Sequence, residues 1–269
     1  LKKSLIISGI AAPMLFAGFT TYYLSNVGSK SIANEQAISK PKKKLAKKFI
    51  DKKTVEQINH TFYSHEKVQQ GAEMAFVGYP STFSKLVDSG QLTITGEITG
   101  LKSFVFESHP YTIADVGVKR VLRGDNSQQN KIIRVMFLGG NITKKEMLAP
   151  VDDKEFMNIP KEDATSDEIV TVEYDNNRLP KAGEKVALIL SKTQAGTNNI
   201  PGEFWLINFS NKSVFFQDED GKYRRIPEKP SIGGSSEKNG ESSSQSENDW
   251  DKKDDEKMND GMNAMINSK

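Results

Sequence analysis

The 269-residue chain has no cysteine and only three histidines. A cysteine nucleophile is therefore excluded, and no G-x-S-x-G elbow offers a serine in its place. The serine clusters of residues 235–246 sit in a polar tail. A phosphate-binding loop is missing too, because Gly139-Gly140 follows a strand pattern without the lysine and helix that such a loop needs. On a helix at ~100° per residue, His60 and His65 would stand about 140° apart and could not share one ion. His65-Glu66 lacks the second histidine of a zinc-protease helix, and His109 precedes Pro110 in a turn with no visible partner. Charge of one sign is also scarce, since 37 basic residues face 35 acidic ones for a net +2. These absences point away from an enzyme and from a nucleic-acid partner, and no cofactor or metal is expected.

What is present begins with SLIISGIAAPMLFAGFTTYYLSNV, residues 4–27, free of charge over 24 positions and preceded by Lys2 and Lys3. At about 1.5 Å per residue this run can cross a hydrocarbon layer of ~30 Å. A signal peptide has the same basic start and apolar middle, but its cleavage site needs small residues, which Val27-Gly28-Ser29 supplies poorly. Tyr22 and Tyr23 suit a retained interfacial belt. Residues 1–28 are read as a membrane anchor, with a cleaved signal peptide as the alternative.

Residues 29–53 form a lysine-rich linker, SKPKKKLAKKFIDKK at its end, in which Pro41 blocks a continuous helix. Seven lysines follow the apolar run closely, Lys42, Lys43, Lys44, Lys47 and Lys48 among them, against two before it. Taken alone, that asymmetry puts the bulk of the chain in the cytoplasm. The export-like layout and the lack of cysteine put it outside.

A helical lead-in is expected over residues 54–90. Thr54-Val55-Glu56-Gln57 has capping-box spacing, with Val55, Ile58 and Phe62 following at helical intervals to about His65. Tyr79-Pro80-Ser81 opens a second helix with Phe83, Leu86 and Val87 on one face and Gly90 as its stop. From Gln91 the period becomes two: Leu92, Ile94, Gly96 and Ile98 alternate with Thr93, Thr95, Glu97 and Thr99, which predicts a strand with one buried face. Further strands are predicted at 103–108, 111–122, 131–137, 185–191, 203–209, 213–217 and 222–226, joined by turn-forming stretches at 123–126, 139–141 and 218–221. So many short strands suggest a small closed or partly closed barrel over residues 91–226.

Residues 144–178 interrupt this rhythm. Nine acids against two lysines over 152–175 read as a solvated acidic insertion on the barrel rim, with calcium as the alternative occupant. Residues 227–269, rich in Ser, Gly, Asn and charge, read as a disordered tail unable to bury enough apolar area to order itself.

The stretch from Tyr79-Pro80-Ser81-Thr82-Phe83-Ser84-Lys85-Leu86-Val87 to LTITGEI, with YTIADVGVKRVLRGD, IIRVMFLGG and GEKVALILSK, resembles a loose group of exported or membrane-anchored small β-barrel proteins of Gram-positive bacteria. The resemblance implies a mainly β chain holding an OB-like Greek-key barrel, two short helices before it, and an extracytoplasmic place on the cell membrane. It supplies no site residues. An extracytoplasmic lysine run, Lys42 to Lys48, could contact an anionic envelope polymer or lipid at about 1 kcal/mol per residue. The other reading of this run is an extended, self-repelling spacer. The expected function is a binding or accessory module of the envelope. A carboxylate-dependent envelope hydrolase and a cytoplasm-facing membrane tether are the alternatives.

Overall fold

The computed structural model describes residues 49–71, 76–227 and 241–268. In chain order the elements are α1 (Lys52–Phe62), β1 (Glu66–Gln70), α2 (Phe83–Ser89), β2 (Leu92–Phe106), β3 (His109–Arg123), β4 (Ile132–Leu138), β5 (Gly140–Thr143), α3 (Lys144–Leu148), α4 (Lys161–Ala164), β6 (Ile169–Tyr174), β7 (Lys185–Lys192), β8 (Trp205–Ile207), β9 (Val214–Gln217), β10 (Tyr223–Arg224) and α5 (Glu241–Asn267). The chain is mainly β, in two sheets with few helices. The membrane-anchor reading of residues 1–28 and the linker up to Lys48 lie outside the described residues. No described helix is long and apolar enough to cross a membrane.

Local chemistry explains the first two helices. Asp51, not Thr54, caps α1: its carboxylate accepts from Thr54 N at 3.1 Å and from Thr54 Oγ1 at 2.7 Å. The helix ends at Phe62, so His65 lies beyond it. Thr82 caps α2 by accepting from Lys85 N, Leu86 and Val87 are buried, and Gly90 is the C-cap.

The larger sheet closes on itself. β7 pairs with β2, β2 with β3 and β3 with β4, all antiparallel; β4 then pairs in parallel with β8, and β8 returns antiparallel to β7. β9 and β10 extend the sheet from β7. The stretches 91–99 and 103–108, expected as two strands, run on as one. β2 bends through register shifts at Thr93/Ile94, Thr95/Gly96 and Ile98/Gly100, where bulges raise the local twist that closure requires. Leu92, Ile94, Ile98, Ala114, Val116, Ile133, Val135, Val186 and Leu188 fill the interior. The outward Thr93 and Thr95 are buried as well, which corrects the single buried face expected of this strand. They register with Ile189 and Ala187, on the side that α2 and α5 cover.

The acidic insertion is a solvated segment only in part: Asp152, Asp153, Glu162, Asp167 and Glu168 are exposed. Ile169–Tyr174 within it forms the centre of a second, three-stranded sheet ordered β1-β6-β5, with Val170, Val172, Tyr174 and Ile142 in its core. Gly139-Gly140-Asn141, expected as a turn, instead leads into β5. Acids averaged over the whole window hid the β-branched IVTV at its end.

The disordered-tail reading of residues 227–269 is corrected over 241–267, while residues 228–240 lie outside the described residues. Glu241–Asn267 forms α5, and Met258 and Met262 are fully buried beside Leu86, Leu122, Phe215 and Tyr223. Two amides on α5 act as a surrogate strand for the edge at β10. Asn263 Oδ1 accepts from Tyr223 N while its Nδ2 donates to Tyr223 O, and Asn259 Oδ1 accepts from Arg225 N. The edge is thereby covered, not left open to another chain. Gly261 is needed for close approach, since a Cβ there would lie 2.3 Å from Phe83 Cγ.

Candidate functional site

Lys42, Lys43, Lys44, Lys47 and Lys48 lie outside the described residues. The residue that follows them is placed: the Phe49 ring rests on the outer wall at Gly117 of β3, where a Cβ would meet Phe49 Cγ at 2.4 Å. Ile50 is buried. The helix that follows is tied to the segment before β7, with Asn59 Nδ2 donating to Ala182 O at 3.1 Å and Ala182 N donating to Asn59 Oδ1 at 2.8 Å. Tyr63 OH donates to Pro180 O at 2.7 Å. Phe49 therefore meets the β body at Gly117 of β3. Ile132, the register partner of Gly117, is 58% exposed there.

Further along the same wall, Tyr111 and Ile113 of β3 and Met136 of β4 form an apolar surface with Phe104, Phe106 and Leu138 beside it. The chain covers this surface itself. Ile200 and Phe204, from the segment between β7 and β8, lie on it with 0% and 1% exposure. Arg134 Nη1 donates to Pro201 O at 2.5 Å, and Thr193 Oγ1 donates to Phe204 O at 2.7 Å, so both ends of the segment are pinned.

The aromatic residues near the carboxyl end of the barrel do not form one platform. Phe204, Phe215, Phe216 and Tyr223 are buried in three separate clusters. Of the basic residues beside them, Lys222 is exposed, Arg224 is held by Asp218 and Asp220, and Arg225 is buried.

Asp163, Asp167, Glu168 and Glu173 are held by lysines. Lys144 stands 2.7 Å from Glu168, 3.5 Å from Asp163 and 4.0 Å from Glu66; its ammonium pKa is raised, chiefly by the Glu168 hydrogen bond. Lys145 pairs with Asp167 and Lys67 with Glu173. Among the described residues, no group of three His, Asp or Glu side chains is placed to hold a metal. The histidines are not brought together: His60 is exposed on α1, His65 is half-buried beyond it, and His109 Nδ1 lies 2.6 Å from Glu107 O at the β2–β3 tip.

Asp218–Gly221 is a hairpin turn, with Asp218 N donating to Lys222 O at 2.8 Å and Gly221 N to Asp218 O at 3.0 Å. Arg224 bridges it, its Nη2 lying 2.6 Å from Asp220 Oδ2. This guanidinium, then the Lys222 N–H, holds the Asp220 carboxyl down at about 2, below its ordinary 3.8. A depressed carboxylate contributes stability above its unfolded pKa and loses it as pH falls through the folded one. Asp220→Asn is thus expected to be less stable than the parent at pH 7, with the gap closing as pH falls from about 4 to about 2. Urea titrations of both proteins at several pH values check this.

One polar constellation had no sequence signature. Arg225 is buried and its Nη1 lies 3.0 Å from Asp254 Oδ2 and 3.2 Å from Asp255 Oδ1, while Nη2 donates to Tyr79 OH at 2.8 Å. Tyr79 OH in turn donates to Asp254 Oδ2 at 2.7 Å. The guanidinium carbon lies 5.3 Å from the Phe215 ring centroid. Burial raises the Tyr79 pKa, against the opposing charge of Arg225, so the phenol stays a proton donor. The arrangement joins α5, the 76–80 segment and the residue that follows β10. Asp254-Asp255, one turn before Met258, was the only trace of it in the chain.

No family model, curated protein or solved structure matches this chain.

Proposed function

We propose that this chain is a membrane-anchored, extracytoplasmic binding or accessory module of the cell envelope, built on an OB-like barrel. Support for the barrel type comes from the ring of pairings: three strands in hairpin succession, then β7 beside the first of them and β8 parallel to the third, an order compatible with a small Greek-key barrel. Support for the anchor is the 24-residue uncharged run of residues 4–27. The observation that carries the reading is the seat of Phe49, the residue that follows the lysine run in the sequence, on Gly117 of the β body. Such a run can engage phosphate-rich envelope polymers or anionic lipids through Lys42, Lys43, Lys44, Lys47 and Lys48.

A second reading is favoured by the lysine count itself: seven lysines after the apolar run against two before it would hold the barrel on the cytoplasmic side as a membrane tether. Protease treatment of intact cells carrying a tag after Lys269, with lysed cells as control, separates the two. Loss of tag and barrel from intact cells is expected; survival until lysis would establish the cytoplasmic tether instead.

A further inference from the structure

Val77 is 97% exposed and Trp250 is 58% exposed, and Val77 lies between Phe76 and Tyr79, two members of an aromatic cluster. The Phe76 and Phe209 rings meet edge-on with centroids 5.9 Å apart, and Tyr79 meets Phe209 edge-on at 5.5 Å. Lys212 N donates to Phe209 O, and Lys212 Nζ lies 3.4 Å from Asp251. Asp254 accepts from Tyr79 OH. Trp250 directly precedes Asp251 and stands four residues, about one turn, before Asp254, so it continues the cluster along the same flank of α5. Lys253 and Lys257, three and seven residues after Trp250, are exposed near that flank, and Lys257 donates to Ser81 O. Gly78, at φ +74, turns the chain so that Val77 projects away from the body.

We propose that Val77 and Trp250, with the Phe76 and Phe209 rings, form a second membrane contact, by which the folded body leans on the bilayer that holds residues 4–27. The inference rests on the reading of residues 4–27 as an anchor. Twenty-one residues, 28–48, separate that run from Phe49 and reach about 70 Å at most when fully extended. The bilayer is therefore always within range and acts at a high effective concentration. The chemistry suits it: Trp, Tyr and Phe settle at the depth of lipid headgroups, and the lysines beside them meet anionic lipid. Paired acids in the patch, Asp251 with Lys212 and Asp254 with Arg225, add little repulsion.

The test uses the full chain carrying Trp205→Phe, which leaves Trp250 as sole tryptophan, reconstituted into vesicles of phosphatidylcholine and phosphatidylglycerol with ordinary or brominated acyl chains. Trp250 emission is expected to shift to the blue and to fall about twofold in the brominated vesicles, as for a side chain at the interface. Val77→Asp should restore the emission while flotation with the vesicles is unchanged. Unquenched Trp250 in a chain that floats would overturn the second contact and leave the anchor standing. A chain that fails to float would overturn the anchor reading and the contact with it. If Trp250 is unquenched and Val77→Asp turns a dimer into a monomer in sedimentation, the patch belongs to a protein interface and the membrane contact is wrong.

Discussion

Replacing Arg225 by alanine is expected to lower the unfolding free energy by about 3–5 kcal/mol, the range for removing one partner of a buried ion pair. The side chains of Arg225 and Asp254 are 1% and 4% exposed, so water cannot replace the guanidinium. Two carboxylates would be left in a low-dielectric site that was built around a cation, and Tyr79 OH would lose an Nη2 donor. The damage should start at α5, because Asp254 and Asp255 are its polar anchors and Met258 and Met262 follow them into the core. Hydrogen exchange at 250–268 should accelerate before exchange in β2 and β3 does. Arg225→Lys should restore little, since an ammonium cannot bond Asp254, Asp255 and Tyr79 with one planar fork. A loss below about 1 kcal/mol would mean that the cluster is no more than a surface ion pair in effect.

Phe204→Ala carries a comparable cost, about 3–5 kcal/mol, because truncating a buried aromatic loses its transfer energy and leaves a cavity. Here the cavity should persist. Thr193 N and Oγ1 both bond the backbone carbonyl of residue 204, and Arg134 holds Pro201 O. Those bonds survive the substitution and keep the segment from collapsing onto Tyr111, Ile113 and Met136. Urea unfolding should show a lower midpoint with an unchanged slope, the sign of lost stability without a change in exposed area. A small apolar solute that fills a dry cavity should raise the variant's midpoint and leave the parent's unchanged. A cost near zero would show that the segment lies on the wall without adding to its stability.

Much of the fold was readable along the chain where the signal is local. The alternation from Leu92, the IIRVMF and VALILS runs, the stop at Gly90 and the Asp218–Gly221 turn each depend on neighbours within a few residues. β6 was missed although IVTVEY carries a strand pattern, because the acids before it dominated the reading of the whole insertion. α5 was missed for a related reason: Met258, Met262, Met265 and Ile266 are spaced for one helix face, but the composition around them is that of an unstructured tail. The expected contact residues, Lys42 to Lys48, were legible as a charge run, and what the fold adds is where Phe49, the residue that follows the run, meets the body.

The sequence by itself determined that this is a mainly β chain with two short helices ahead of its barrel strands, though it did not show β1 (Glu66–Gln70) between them. Periodicity and turn chemistry act over a few residues, so a single chain can carry them. Only the tertiary structure decided that the sheet closes through a parallel β4–β8 pairing of two residue pairs, that Phe204 covers the apolar wall, and that Arg225 meets Asp254 across 29 positions. Each of those depends on groups that become neighbours only when the chain has folded, where burial makes an unpaired charge or an open edge costly enough to select one partner.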